Sequence, residues 1–144
     1  MDIGFVGGRV EIAQRLAQAG FRVVASGSTV DIAKALRAPR VVILDLADGF
    51  ATELAIQDAW PECEAGDVIV DVGPAAAADG QRRAAALASV RMHFVDATLR
   101  GETLSAGGDV AAISLVAACF DALAERWTHV GPSGSGYHAG RREL

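Results

Sequence analysis

The sequence has little cysteine and no concentration of positive charge. Its 144 residues include two cysteines, Cys63 and Cys119, which lie far apart and form no C-x-x-C motif. This excludes a disulfide framework, and the apolar neighbours of each thiol predict buried free cysteines. The net charge is −5, and the few arginines are scattered rather than gathered in a stripe. We therefore expect no nucleic-acid partner and no anionic membrane partner.

Targeting segments, membrane spans and metal motifs are also missing. The chain runs from Met1 directly into a predicted strand, with no charged region followed by a long apolar stretch. The longest apolar stretches are interrupted well short of a membrane span, so a cytoplasmic location is the expectation. His93, His129 and His138 show no metal-ligand spacing. No metal site is predicted, and a surface or hydrogen-bonded role is expected for each histidine.

Hydrophobic residues, in contrast, make up 51% of the chain. A chain of this length has the size of one domain and cannot bury so much apolar surface by itself. We therefore expect a partner to cover part of it, and a homodimer is the default. The predicted helix 109–126, which is apolar almost all the way around, and the C-terminal tail are the candidate interfaces.

Predicted strands and helices alternate along the chain. Apolar runs predict strands at residues 3–6, 21–25, 41–46, 68–72, 92–97 and 127–130, and helical periodicity predicts helices at 10–19, 30–36, 51–60, 76–89 and 109–126. Continuous rather than alternating apolarity is typical of parallel strands covered on both faces. The pattern predicts an α/β, three-layer Rossmann-like fold with a mainly parallel sheet in residues 1–130, followed by a flexible Gly/Ser-rich tail at 131–144.

The first strand leads into a glycine turn and then a helix. This arrangement is typical of sites that bind phosphate groups at the helix N-terminus. The stretch reads Gly4-Phe5-Val6-Gly7-Gly8-Arg9-Val10-Glu11. Compared with G-x-G-x-x-G, it lacks one spacer and the third glycine, and Glu11 lies near the place of that glycine. Two interpretations remain open. In the first, the segment contacts a dinucleotide through Gly4, Gly7, Gly8, Arg9 and Val10. In the second, the glycines only make a tight turn.

Other candidate cofactor-binding residues follow the next three strands. Ser26 and Ser28 follow the second strand, where an acidic residue would indicate NAD and an arginine NADP, so that choice stays open. Leu46, Ala47 and Asp48 follow the third strand, and Gly73 follows the fourth. Near the strand ends lie three further carboxylates: Asp45, Asp71 and Asp96. These are predicted to cap helices or accept backbone N–H groups, and metal or acid–base roles are the alternative.

Several segments give the chain a resemblance to a known family. They are Ile3-Gly4-Phe5-Val6-Gly7, Ala38-Pro39-Arg40-Val41, Gly66-Asp67-Val68-Ile69-Val70-Asp71, His93-Phe94-Val95-Asp96, Gly107-Gly108-Asp109 and, most specifically, the stretch from His129 to Gly136. The chain resembles the N-terminal coenzyme domain of 6-phosphogluconate dehydrogenase and the related 3-hydroxyacid dehydrogenases. The resemblance implies a Rossmann-like fold, NADP or NAD, and oxidation of a hydroxy acid.

The chain departs from this family where the family places its chemistry. Gly73-Pro74-Ala75 replaces a Gly-Asn-Ser segment, and residues 97–101 replace a longer Ser-Gly-Gly loop. Gly140 stands where the resemblance implies a catalytic lysine. The family's second, all-helical domain is not among these residues, and a strand–helix unit between residues 25 and 41 is shortened. No catalytic residue is therefore predicted.

Three functions remain open at this point. In the first, the chain binds NAD(P) without turnover of its own. In the second, it is a dehydrogenase completed by another chain. In the third, it is a cofactor-free oligomeric interaction module. The glycine turn favours the first, the replaced segments argue against the second, and the apolar content is compatible with all three.

Overall fold

Apolar runs form the centre of a seven-stranded sheet in the computed structural model, which describes residues 1–142. The strands are β1 Asp2–Gly7, β2 Arg22–Val24, β3 Arg40–Asp45, β4 Val68–Asp71, β5 His93–Arg100, β6 Thr103–Gly107 and β7 Arg126–Gly131. The helices are α1 Val10–Gln18, α2 Thr29–Lys34, α3 Gly49–Ala59, α4 Ala77–Ala88, α5 Val110–Leu123 and α6 Ser135–Arg142, with a short 3₁₀ turn at Trp60–Glu62.

The strand order is β2-β1-β3-β4-β5-β6-β7, and every pair is parallel except β5 with β6. From β1 the chain passes to β2 on one side, and β3 then lies on the other side of β1. The strand order therefore reverses between β1 and β3, where Gly7 pairs with Asp45. Open α/β sheets bind ligands outside the carboxyl ends of the strands at such a switch point.

Helices cover both faces of the sheet, which confirms the predicted three-layer α/β fold. One apolar core joins the sheet to α1 and α5, with Leu16 and Phe120 fully buried. The other core lies against the remaining helices and includes Ala33, Ala55 and Tyr137. No helix in residues 1–142 is long and apolar enough to cross a membrane.

The thiol of Cys119 is buried in the first core, as the sequence predicted, whereas that of Cys63 is only partly buried. Burial raises the pKa of Cys119 to about 12. It also raises the pKa of Cys63 to about 11. Both thiols therefore stay protonated at neutral pH, which argues against nucleophilic or redox chemistry at either position.

The sequence prediction missed the β5–β6 hairpin. Strand β5 continues to Arg100, a turn follows at Gly101 with a φ of 57°, and β6 returns antiparallel to β5. The positive φ suits glycine, which has no Cβ to collide with the backbone. Leu104 and Ala106 alternate with more exposed neighbours along β6 and are fully buried. Helix α5 also ends at Leu123, three residues earlier than predicted, because the chain then enters β7.

The predicted flexible tail is also wrong over the described residues. After β7, α6 packs on the sheet with Tyr137 only 2% exposed. The buried carboxylate of Asp96 accepts hydrogen bonds from the backbone N–H groups of Gly134 at 2.7 Å and Tyr137 at 2.9 Å. These contacts offset the low helix propensity of a segment rich in glycine and serine. Residues 143 and 144 of the predicted tail lie outside the described residues, and the domain boundary at residue 130 stays a prediction.

Candidate functional site

All of the predicted cofactor-binding residues except Gly4 lie at one edge of the sheet. Because β1, β2, β3 and β4 are parallel, their carboxyl ends share this edge. The residues gathered there are Gly7, Gly8, Arg9 and Val10 after β1, Ser26 and Ser28 after β2, Leu46, Ala47 and Asp48 after β3, and Gly73 after β4. The edge is therefore the candidate site.

Gly4 lies inside β1 and faces α2 rather than this edge. A Cβ at Gly4 would come within 2.7 Å of the Ile32 side chain and 3.0 Å of Leu36. The absence of a side chain at Gly4 therefore allows α2 to pack closely on the sheet, so the packing of α2 accounts for this glycine.

At two positions of the edge, the neighbouring backbone lies so close that only glycine fits. A Cβ at Gly7 would lie 2.3 Å from the carbonyl oxygen of Asp45, and one at Gly73 would lie 2.5 Å from that of Leu46. Gly8 differs, because nothing lies within 4 Å of its Cβ position. The top of the turn at Gly8 is thus open, while Gly7 and Gly73 hold β1, β3 and β4 close together.

The side chain of Arg9 lies across the edge. Arg9 precedes α1, and its backbone N–H donates to Asp45 Oδ2 at 2.9 Å. Its Nε donates to both Asp45 oxygens at 3.1 Å, and its Nη2 donates to Oδ1 at 2.9 Å. The guanidinium also donates to the carbonyl oxygens of Leu99 and Val72, both at 3.1 Å. Arg9 thus connects the carboxyl ends of β3 and β4 with β5.

Two predicted side chains at the edge cap helices. The Oγ of Ser28 accepts the N–H of Asp31 at 3.1 Å at the start of α2. The carboxylate of Asp48 accepts the N–H of Ala51 at 2.8 Å at the start of α3. Both bonds satisfy backbone groups that a helix N-terminus leaves unpaired.

A cleft of about 620 Å³ opens beside Gly73, between the start of α4, the end of β5 and α6. It is lined by Gly49, residues 72–76, Asp79, Thr98, Leu99, Arg100, Tyr137 and Gly140. The sequence prediction missed the residues that β5 and α6 contribute, since it ended β5 at residue 97 and predicted a tail in place of α6. The short Gly101–Glu102 stretch between strand-forming residues was the available signal for the hairpin.

A buried polar cluster forms one wall of this cleft. The Tyr137 hydroxyl donates a hydrogen bond to the Asp71 carboxylate and accepts one from Arg83 Nη1 at 2.9 Å. Arg83 Nε also donates to Glu53 at 2.7 Å. Burial raises the pKa of Asp71 to about 6, against the opposing effects of the Tyr137 and Gly73 hydrogen bonds and the Arg83 charge. Burial also raises the pKa of Tyr137, and the nearby Asp71 adds to this, so the phenol stays protonated.

Asp45, Asp71 and Asp96 all accept backbone N–H groups, which confirms their predicted structural role. Asp45 accepts from Arg9, Asp71 accepts from Gly73 at 2.9 Å, and Asp96 accepts from two residues at the start of α6. Within residues 1–142, no group of three or more His, Cys, Asp and Glu side chains is arranged to hold a metal ion.

The position where the resemblance implies a lysine is sterically closed. A Cβ at Gly140 would lie 2.3 Å from Thr98 Oγ1. The Gly140 carbonyl oxygen accepts a hydrogen bond from Arg100 Nη2 at 2.8 Å, which ties α6 to the end of β5. This helix therefore packs too closely on β5 to carry a side chain at residue 140 without a local shift.

A glycine turn before α1, at the switch point of a mainly parallel sheet, defines the class of Rossmann-like dinucleotide-binding domains. Residues 3–131 match the family model described as the NAD binding domain of 6-phosphogluconate dehydrogenase. The chain belongs to this family. The 6-phosphogluconate dehydrogenase of Bacillus subtilis is 29% identical over 133 residues, which cover 83% of this chain and 28% of that protein.

Solved structures show the same fold at lower identity. A 3-hydroxyisobutyrate dehydrogenase from Salmonella typhimurium matches with a TM-score of 0.89 and 16% identity, covering 99% of this chain and 61% of that one. An imine reductase variant from Myxococcus stipitatus, in complex with NAD⁺, matches with a TM-score of 0.85 and 14% identity, covering 99% of this chain and 59% of that one. The chain thus spans only the coenzyme-domain part of these relatives.

Proposed function

We propose that this chain binds a nicotinamide dinucleotide, NAD or NADP, at the carboxyl edge of β1 and β3 and does not turn over a hydroxy acid by itself. The observation that carries the proposal is the glycine turn at Gly7 and Gly8, which lies at the switch point and leads into α1. A helix N-terminus there favours the diphosphate of a dinucleotide. Membership of the NAD-binding family supports the same ligand.

The cleft beside this edge supports binding without turnover. Proton transfer needs a titratable group that is free to exchange its proton next to the reacting atom. Tyr137 faces the cleft, but its hydroxyl is engaged by Asp71 and Arg83. Asp79 also lines the cleft, but its carboxylate accepts hydrogen bonds from the Ala76 N–H and from Arg82. Gly140 has no side chain, and Gly73, Pro74 and Ala75 offer no polar side-chain atom. The geometry therefore favours a binding domain over a complete dehydrogenase.

A thermal-shift titration of the 144-residue chain with NAD⁺, NADH, NADP⁺ and NADPH tests the binding. A ligand that binds only the folded state raises its melting temperature in a saturable way. A saturable rise with at least one coenzyme is expected. No shift with any of the four at millimolar concentration would overturn the proposal and favour the cofactor-free interaction module.

Gly8 offers a matched variant for the same experiment. Its Cβ position is open, so Gly8→Leu should fold normally while its side chain occupies the space above the turn. Ala85→Leu, on the exposed side of α4, adds a side chain of the same kind away from the turn and serves as the control. We expect Gly8→Leu to lose the coenzyme-induced shift and Ala85→Leu to keep it.

The absence of turnover has its own test. With NAD⁺ or NADP⁺ as hydride acceptor and 6-phosphogluconate or 3-hydroxyisobutyrate as substrate, the absorbance of reduced coenzyme should not rise faster than in a protein-free control. A rate proportional to protein concentration would overturn this part of the proposal and favour a dehydrogenase completed within an oligomer.

We also propose a homodimer in the cytoplasm. Val110 at the start of α5 is 73% exposed, and the outward side of this helix carries alanines rather than charges at residues 111 and 118. Such a surface is suited to self-association. Sedimentation at micromolar concentration should give twice the mass of the 14.9 kDa chain. A clean monomer would contradict the dimer.

A further inference from the structure

The carboxylate of Asp45 lies beside the N-terminus of α1, next to the residue that precedes the helix. Asp45 ends β3 beside Gly7, and its Oδ2 accepts the backbone N–H of Arg9 at 2.9 Å. The Asp45 side chain is 9% exposed, so the carboxylate is largely withdrawn from water. An internal anion therefore lies next to the helix terminus that a ligand phosphate would favour.

The cation nearest this position is engaged by the same carboxylate. Arg9 donates to Asp45 through Nε and Nη2, and to the Leu99 and Val72 carbonyl oxygens through Nη1 and Nη2. These contacts place the guanidinium over the carboxyl ends of β3 and β4, next to the switch point. Arg9 is 39% exposed, so it can reach solvent without unfolding the strands beneath it.

A dinucleotide diphosphate carries two negative charges and would approach Asp45 closely in this arrangement. Like charges at short range in a partly dehydrated site repel each other strongly. The diphosphate would also need N–H and guanidinium donors that Asp45 now holds. Binding therefore requires the carboxylate to move away, or its charge to be removed.

We propose that Asp45 is an intramolecular anion that competes with the diphosphate of NAD or NADP for Arg9 and the N-terminus of α1. The Arg9–Asp45 ion pair is then the closed state of the site, and a dinucleotide binds the open state. This inference rests on the proposed function. The apparent dissociation constant is then the intrinsic constant of the open state divided by the fraction of molecules in that state.

The variant Asp45→Asn tests the competition. It keeps the size of the side chain and removes its charge. We expect it to bind the preferred coenzyme at least about tenfold more tightly than the wild type by isothermal titration calorimetry. It should also melt at a lower temperature, because the ion pair with Arg9 is lost. A purely structural carboxylate predicts the same loss of stability, but with weaker rather than tighter binding.

Asp109→Asn provides the matched control. Asp109 also accepts a backbone N–H at a helix start, that of Ala112 at 2.7 Å, but it lies on α5 outside the candidate site. The control makes the same charge change and, like Asp45→Asn, keeps an oxygen that can accept the backbone N–H. Its melting temperature should fall slightly while its coenzyme affinity stays that of the wild type.

The outcomes separate this inference from the proposed function. If the wild type binds coenzyme and Asp45→Asn binds equally or more weakly, the competition is wrong and the proposed function stands. If neither protein binds any dinucleotide, the proposed function fails, and inorganic pyrophosphate becomes the probe. Pyrophosphate should then raise the melting temperature of Asp45→Asn more than that of the wild type. Equal shifts, or none, would overturn the competition as well.

Discussion

The hydroxyl group of Tyr137 on α6 donates a hydrogen bond to the carboxylate of Asp71 at the end of β4. Arg83 on α4 contacts both partners, at 2.9 Å from the Tyr137 oxygen and 3.3 Å from Asp71. The three residues are at most 3% exposed. These buried polar contacts connect α6 to the centre of the sheet and to α4, so they fix one wall of the cleft.

Tyr137→Phe should destabilise the fold. The ring stays buried, but Asp71 loses a hydrogen-bond donor and Arg83 loses an acceptor. Removing one partner of a buried hydrogen bond costs about 1–3 kcal/mol. Urea denaturation should show a lower midpoint with an unchanged slope. An unchanged midpoint would mean that the hydroxyl contributes nothing to the stability of α6.

Asp71 should make the fold more stable at pH 5 than at pH 7. Burial raises its pKa to about 6 in the folded state, above the usual value of about 3.9 in an unfolded chain. The folded state therefore holds this proton more readily, and the stabilisation is lost as the pH rises through about 6. The expected difference between the two pH values is about 1 kcal/mol.

Asp71→Asn isolates this contribution from other titrating groups. The amide does not titrate, and its single oxygen replaces either Oδ1, which accepts from Gly73, or Oδ2, which accepts from Tyr137. The comparison is therefore made between the two pH values within each protein. The free energy of unfolding is measured at both pH values for wild type and variant, and the wild type should gain more on acidification. Identical pH dependence in the two proteins would contradict the raised pKa.

Gly140→Ala should destabilise the packing of α6 on β5. The added Cβ would lie 2.3 Å from Thr98 Oγ1 and 2.7 Å from its methyl carbon. Overpacking of this kind costs about 1–3 kcal/mol. For the same reason Gly140→Lys, which restores the lysine that the family resemblance implies, should gain no dehydrogenase activity.

Gly49→Ala is the control for this substitution. Gly49, the first residue of α3, also lines the cleft, but nothing lies within 4 Å of its Cβ position. Alanine should therefore leave the stability unchanged or raise it slightly. If both variants lose the same stability, the close contact with Thr98 is not the cause.

The sequence predicted most of the fold because its signals are local. Apolar runs and helical periodicity identified β1 to β5 and the helices between them. Strand β6 and helix α6 were missed because their stability depends on distant partners. Leu104 is buried in the core that the sheet shares with α1 and α5. Backbone N–H groups at the start of α6 donate hydrogen bonds to Asp96, about forty positions earlier in the chain.

The candidate site likewise has a local part that the sequence predicted and long-range contacts that it did not. The glycine turn is a local motif, and the sequence placed it correctly at the end of β1. The contact of Arg9 with Asp45 joins residues 36 positions apart, and that of Tyr137 with Asp71 joins residues 66 positions apart. Side-chain partners at such separations follow from strand order and register, which a single sequence does not specify.

The turn after β2 bears on the choice between NAD and NADP. The dinucleotide ribose lies at this strand end in domains of this class. A Cβ at Gly27 would be 3.5 Å from a carboxylate oxygen of Asp31, so this carboxylate lies over the turn. Residues 23–33 include no arginine or lysine. A negative charge there accepts hydrogen bonds from ribose hydroxyls and repels a 2′-phosphate.

The wild type should therefore bind NAD⁺ several-fold more tightly than NADP⁺, and Asp31→Asn should narrow that ratio, mainly by improving NADP⁺ binding. Calorimetric titration of both coenzymes measures the ratio directly. Asp58→Asn, an exposed carboxylate near the end of α3, makes the same change in net charge away from the turn and should leave the ratio unaltered. Because the repulsion is electrostatic, the preference should also weaken at high salt. Equal affinities in the wild type, or a ratio that Asp31→Asn and Asp58→Asn change alike, would show that Asp31 does not select the coenzyme.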